Sequence, residues 1–390
     1  MTRRIPRFTP FRAAMFAIPA AIACLALAVF LQPGPSQGAQ EDDMFGAADL
    51  QDLLAAFEDE PFARPSGPWS VSLPRDYGAH EAMRGDTWMM ALHLEDEAGT
   101  RIGMTFGLVR LGLRAQAPGS QASPWALRTL YRGHLSLAED GAAALEAEER
   151  FSRGAGAAGA DSPSRKLWLD DWQIDYGGAS AQEGLTLSAS ANGLPVRLHL
   201  SPAKAPVAMA GDDGAPVRGF VIPRLNVQGT IGKAEAERRV HGVAWLDRLW
   251  GDLPLPGGPL SNQRLILHLD DGTDLTLLRT QRSDGRGLAT VEGLAVFPDG
   301  EALPLPPDGP GAIDMTATAS WTTQDGSATY PVAWQLTGPG LDLTVAPMIE
   351  NQDPGFALPG WIGAVTVSGR HDGVQVAGMG TLQMTDGSAP

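Results

Sequence analysis

Two short stretches bring together the residue types from which chemistry could be built. HGVAWLDRLWG, running from His241 to Gly251, holds Trp245, Asp247, Arg248 and Trp250, and KLWLDDW holds Asp170, Asp171 and Trp172. On an extended strand, side chains two apart share a face, so Trp245 and Asp247 point one way and Arg248 the other. An aromatic wall beside a carboxyl group results. If that face lines a barrel interior, burial favours the protonated form of Asp247 unless Arg248 opposes it. A neutral carboxylic acid there could protonate a carbon–carbon double bond, tryptophan faces could stabilise the cation, and water could capture it. That chemistry is hydration, and His241 could relay or orient a proton. The competing reading makes the tryptophans core residues and the aspartates turn caps.

Other routes to catalysis close on inspection. Gly154, Gly156 and Gly159 spell GxGxxG, but no βαβ unit frames them. Asp270, Asp271 and Asp274 fall on a hairpin rather than in a helix-flanked calcium loop, so they read as turn residues. His80-Glu81 lacks the second histidine of a zinc helix, and no GxSxG elbow occurs. No cofactor or metal is expected. A formal net charge of −16 argues against a nucleic-acid partner, since phosphate backbones need a basic surface.

The elements that must position these residues are strands. The 390 residues suffice for two cores, and 47 glycines with 31 prolines suit many short strands joined by turns. Leu92, Leu94 and Ile102, Met104, Phe106 flank the turn Glu97-Ala98-Gly99. Leu265, Leu267, Leu269 and Leu275, Leu277 flank Asp270 to Thr273 in the same way, so the two hairpins look like counterparts. Val196, Leu198, Leu200 and Leu341, Leu343, Val345 alternate with polar or small residues as half-buried strands do. A loop rich in Gly and Pro near Leu253 marks the expected boundary between a domain at 65–252 and another at 253–390.

The N-terminus reads differently. Arg3, Arg4, Arg7 and Arg12 precede an uncharged run from Ala13 to Leu31, and a small-residue segment ends at Ala39. This is the layout of a secretory signal over 1–39; an uncleaved inner-membrane anchor is the competing reading. Either way the expected location is periplasmic or secreted, with membrane contact only through this segment. Residues 40–64 form an acidic linker in which Leu50, Leu53, Leu54 and Phe57 predict one short amphipathic helix. The only cysteine, Cys24, lies in the apolar run, so packing rather than a disulfide must hold the remainder.

LPRDYGAH (Leu73 to His80), FSRGAGAAG followed by KLWLDDW, HGVAWLDRLWG, YPVAWQLTGPGLDLTVAPMIENQ and WIGAVTVSG resemble, in order and spacing, the carotenoid 1,2-hydratase (hydroxyneurosporene synthase) family and its AttH-like secreted relatives. The resemblance covers roughly Pro65 to the C-terminus. It implies an all-β fold of two tandem lipocalin-like antiparallel barrels with an apolar ligand cavity. It also implies that Asp247 is the acid, that Trp245 stands beside it, and that Trp172 and Trp88 occupy the other aromatic positions. Trp250 joins them as a cavity-lining candidate.

The departures are specific. Relatives carry an acid, two tryptophans and a tyrosine where this chain has Asp86, Thr87, Trp88 and Met89. Leu249, Ile362 and Gln383 stand where relatives carry carboxylates. Losing acids while keeping the scaffold favours an exported protein that binds an isoprenoid or lipid-like molecule. By analogy with relatives, its partner would be the permease of an ABC transporter. The alternative is a hydratase using Asp247 and His241.

Overall fold

Period-two alternation becomes two antiparallel sheets. The computed structural model describes residues 61–115, 127–177, 183–209, 215–253, 260–282, 286–356 and 360–384. The signal or anchor segment and the helix expected around Leu50 lie outside the described residues. Among the described residues no helix is long and apolar enough to cross a membrane.

The first sheet has twelve strands: β1 Gly85–Asp96, β2 Arg101–Gly112, β3 Thr129–Glu139, β4 Glu146–Ser152, β5 Ala158–Asp161, β6 Lys166–Leu169, β7 Trp172–Asp175, β8 Leu185–Ala191, β9 Leu194–Pro202, β10 Val207–Met209, β11 Val217–Ile231 and β12 Arg238–Gly251. Their order is β4-β3-β2-β1-β12-β11-β9-β8-β7-β6-β5, with β10 on β11. Strand β4 packs back towards β6 and β8, so the sheet nearly closes into a barrel.

The second sheet has nine strands: β13 Leu260–Leu269, β14 Asp274–Arg282, β15 Thr290–Val296, β16 Ala302–Leu305, β17 Asp314–Thr322, β18 Thr329–Gly338, β19 Leu341–Pro347, β20 Trp361–His371 and β21 Val374–Met384. In the order β16-β15-β14-β13-β21-β20-β19-β18-β17 it forms a half-barrel. Both expected hairpins form: Leu92 pairs with Met104 in β1–β2, and Leu265 with Leu277 in β13–β14. The fold is all-β with two lipocalin-like domains, as the alternation and the resemblance predict.

Three large apolar cores follow among the described residues, beside a small cluster of Ala138, Ile349 and Ala364. One fills the first barrel, with Leu92, Phe106, Leu135, Leu198 and Leu246 among its residues. Another fills the half-barrel around Leu267, Trp334, Leu343 and Trp361. The third lies between the domains, where Met89, Ala91, Trp245 and Leu249 meet Ile266, Leu278, Val296 and Ile362. Strands β1 and β2 lie against β20 and β21 across this junction. A Cβ added at Gly103 would stand 2.1 Å from that of Ala364, so the sheets approach there too closely for any side chain.

A charged cluster is buried beside this third core. His268 Nδ1 lies 2.6 Å from Asp274 Oδ1, and Lys204 and Arg224 of the first domain each reach the same carboxylate at 2.7 Å. His93 from β1 stacks edge-on to His268 at 5.0 Å and bonds Thr381 Oγ1 at 3.0 Å. Asp274 is therefore a buried ion centre between domains, which corrects its reading as a turn residue. Asp271 keeps the expected role, accepting from the Thr273 backbone N–H at 2.8 Å. Asp274 could not be distinguished from Asp271 by sequence because both sit beside the same hairpin turn.

Candidate functional site

Register decides which residues meet. In the β1–β12 pair, Asp86 lies opposite Trp250, Trp88 opposite Arg248, Met89 opposite Asp247 and Ala91 opposite Trp245. Residues directly opposite share a face. Trp88, Arg248 and Trp250 therefore occupy the barrel side, whereas Trp245 and Asp247 belong to the face that meets the second domain. The predicted split of Trp245 and Asp247 from Arg248 holds, but the face expected to line the barrel is the other one. The physical reason is that a second sheet covers what would have been the wet side. Strand β12 is buried on both faces from Ala244 onward, so alternation cannot say which face borders a cavity.

Asp247 is 2% exposed and fully engaged. Arg264 of β13 donates to its two oxygens at 2.7 and 2.8 Å, and Trp245 Nε1 donates at 3.0 Å. Both oxygens of the carboxylate are thus committed to a guanidinium fork. The positions where the resemblance expects acids gather on the same interface. Leu249 and Ile362 pack in its apolar core, and Gln383 pairs in register with both Ile362 and Arg264. His241 is exposed, opposite Glu95. It lies six positions along β12 from Asp247, roughly 20 Å at strand rise, so it neither relays nor orients a proton there. Trp172 is buried in the barrel core against Phe106, with the Arg150 guanidinium 4.4 Å from its ring centroid. It does not line the cavity described next.

That cavity, of about 690 Å³, opens at one end of the first barrel. The chain from Phe62 to Arg84 crosses this end, anchored by a parallel bridge between Ala63 and Met83. Its turn at Arg75–Tyr77 is held by Asp76, which accepts from Ser72 N–H at 2.8 Å and Arg75 Nε at 2.7 Å. Trp88 Nε1 donates to the Tyr77 carbonyl at 2.6 Å and so ties the crossing segment to β1.

Beneath the segment sits a buried charge cluster. Asp86 accepts from Arg110 Nε at 2.7 Å, Arg248 Nη2 at 2.6 Å and the His80 backbone N–H at 3.1 Å. Burial pushes the Asp86 carboxyl up, but the charges of Arg110 and Arg248 outweigh it and hold the group well below the usual carboxylate range. Arg248 also donates to the carbonyls of Gly78, Thr87 and Leu249. Its guanidinium lies 4.1 Å from the Trp88 ring centroid and 5.2 Å from that of Trp250.

Above the cluster, the His80 imidazole stacks on Trp250 with centroids 3.9 Å apart and planes 6° from parallel. Arg248 Nη2 approaches His80 Nδ1 at 3.1 Å. Arginine only donates, so Nδ1 accepts and the neutral ring carries its proton on Nε2. Burial lowers the His80 pKa, Asp86 opposes this, and the Arg248 charge lowers it further. Trp69 stands edge-on to Trp250 at 5.2 Å and, with Met83 and Tyr176, completes the apolar lining. Tyr77 lies deeper, its buried hydroxyl without a hydrogen-bond partner and its phenol pushed up by burial.

Of the residues singled out from sequence, the structure brings Trp250 to the cavity and Trp88 beneath it. It places Trp245 and Asp247 at the domain interface, and Trp172 and His241 elsewhere. His80, Tyr77, Asp86 and Trp69 escaped a chemical reading. The LPRDYGAH motif was the local signal for Tyr77 and His80 alone, and the role of Asp86 stayed hidden because its partners Arg110 and Arg248 lie far along the chain. Among the described residues no group of three or more histidine, cysteine or carboxylate side chains could hold a metal ion.

The arrangement provides an aromatic, partly cationic end wall against which a flat or chain-like apolar molecule can lie. The profile of the AttH-like family matches residues 64–387. Among solved structures, one from Nitrosomonas europaea assigned as an AttH is 22% identical, covers 84% of this chain and 100% of its own, and superposes with a TM-score of 0.70. Kievitone hydratase from Nectria haematococca is 14% identical over 84% of this chain and 98% of its own, with a TM-score of 0.59. At these identities the likeness is one of fold. No curated protein sequence gives a significant match. The chain belongs to the AttH-like family.

Proposed function

We propose that the protein binds a predominantly apolar, isoprenoid or lipid-like molecule in the cavity at the mouth of the first barrel. The observation that carries this reading is a stacked aromatic set, half-buried His80 on Trp250 with Trp69 across it, bordering about 690 Å³ of open space. The apolar packing at Leu249 and Ile362, where the resemblance expects acids, also favours binding over hydration through Asp247. The arginine-then-apolar N-terminus supports placing such a carrier outside the cytoplasm, where a transporter permease would be a suitable partner.

The test is a cavity-filling substitution. Ala79 lines the cavity and is only half-buried, so Ala79→Phe takes up ligand space without opening the core. Full-length protein is incubated with a membrane-lipid and carotenoid extract, and retained molecules are identified by mass spectrometry. Wild type should retain an apolar species, and the variant should retain about tenfold less, the equivalent of some 1.4 kcal/mol, at an unchanged melting temperature. Equal retention by both would remove the cavity from the proposal.

Hydration is the second reading, and His80 is the observation that favours it. The ring is neutral in its resting state, but in acid, once it takes a second proton, its imidazolium is a strong proton donor beside Trp250 and Trp69, aromatic faces able to steady a cation. In the same extract, a gain of one water by an alkene with wild type and Asp247→Asn, but not with His80→Gln, is the pattern it predicts. Loss of the product in Asp247→Asn at unchanged stability would return the acid role to Asp247.

A further inference from the structure

The electrostatics of the cavity run opposite to those of the chain. The protein carries a formal net charge of −16, yet Arg64, Arg75, Arg165 and Arg218 line the cavity, and Asp76 is the one carboxylate among its described lining residues. Asp76 is already committed to Arg75 and the Ser72 N–H. Arg64 pairs with Asp252 at 3.0 Å. From below, Arg110 and Arg248 share the single carboxylate of Asp86, all three buried, so a positive field enters the cavity through its floor as well.

Arg218 is the cation best placed to use that field. Its Nη2 donates to the Gly67 carbonyl at 2.8 Å and its Nη1 to the Ser66 carbonyl at 3.4 Å. Both acceptors are uncharged, so the guanidinium keeps its full charge, and these two bonds use two of its five N–H donors. Its carbon lies 5.7 Å from the Trp69 ring centroid. The backbone contacts and the ring fix the guanidinium at the cavity rim, and Trp69 leads inward to Trp250. A pre-positioned planar donor set of this kind is suited to the oxygens of a carboxylate or phosphate.

We infer that the ligand is an anionic amphiphile, its carboxylate or phosphate head held by Arg218 and its apolar body lying along Trp69 and Trp250. This rests on the binding reading above and narrows it to a substrate class.

The experiment titrates full-length protein with laurate, lauryl phosphate and lauryl alcohol by calorimetry, at low and at high salt. The three share a chain and differ only in the head. At low salt at least one of the two anions should bind about tenfold more tightly than the alcohol, the scale of one charge-assisted hydrogen-bond pair. That advantage should shrink at high salt and disappear in Arg218→Gln, which should weaken the anions far more than the alcohol, and part of the advantage should be retained in Arg218→Lys. Preference for laurate assigns a fatty-acid type of head, and preference for lauryl phosphate a phospholipid or prenyl-phosphate type. Equal binding of acid, phosphate and alcohol overturns the head-group inference while leaving the apolar site standing. Tight anion binding that survives Arg218→Gln also overturns the assignment to this residue. Failure of all three to bind removes both the inference and the reading beneath it.

Discussion

Replacing Arg264 with alanine will lower the unfolding free energy by about 3–5 kcal/mol, and Asp247→Ala will do nearly the same. Each substitution leaves the opposite charge buried: Arg264 is 1% exposed and Asp247 2%, and they are joined by a two-point fork across the domain interface. The attraction within such a pair largely offsets the cost of desolvating it, so removing both charges is a different matter from removing one. The double variant Asp247→Leu with Arg264→Met, which matches the apolar neighbours Leu249, Ile266 and Ile362, should recover most of the loss. Urea unfolding of the four proteins measures the loss and its recovery. An acid role for Asp247 makes the opposite prediction, lost turnover with stability intact. Single variants within about 0.5 kcal/mol of wild type, the range of ordinary surface substitutions, would show that the fork contributes little to domain docking.

Acid will destabilise the fold well before the carboxylates titrate. His93, His134 and His268 are all buried. Burial pushes each pKa below the ordinary imidazole value: His268 adds its charge against His93, Arg132 adds its own against His134, and Asp274 only partly restores His268. A folded-state pKa below the unfolded value of about 6.5 means that the unfolded chain binds more protons as pH falls through that value. The stability these neutral rings contribute is therefore complete above about pH 6.5 and declines below it, by about 1.4 kcal/mol per pH unit for each histidine, until the folded pKa is reached. Asp86 and Asp274 have depressed folded values, so their contribution persists above the unfolded aspartate range near pH 4 and is lost only below it. Urea midpoints should fall between pH 7.5 and 5.5, with a smaller fall in His93→Gln. A flat profile across that range would contradict the neutral buried state of these rings.

The hairpins could be read directly because both of their determinants are local. The Glu97-Ala98-Gly99 and Asp270-Asp271-Gly272 turns carry their own chemistry, and the leucines beside them alternate with a period that survives any tertiary context. The face of β12 was not legible in the same way. Trp245, Asp247, Arg248 and Trp250 all lie within a run buried on both sides, and only the packing of β13 and β20 against it tells interface from cavity. The Asp86 cluster was out of reach for another reason. Its partners Arg110 and Arg248 arrive through registers with β2 and β12, and no spacing in the chain announces either. The resemblance marked LPRDYGAH as a motif without saying that His80 would lie flat on Trp250.

The strand order also sets a timetable for synthesis. Strand β1 lies between β2, its neighbour in the chain, and β12, the last strand of its domain. At elongation rates of about 5–20 residues per second, the nascent β1 waits on the order of ten seconds for that second partner. Meanwhile it presents an open edge flanked by the apolar faces that will become two separate cores, the state most prone to pairing with a neighbouring chain. The half-barrel repeats the problem. Strand β21, the last of the described strands, sits between β13 and β20 and joins the two halves of its sheet. A truncation that removes Val374–Met384 would therefore cut the second sheet through its middle, and the two halves can join only once that strand has left the ribosome.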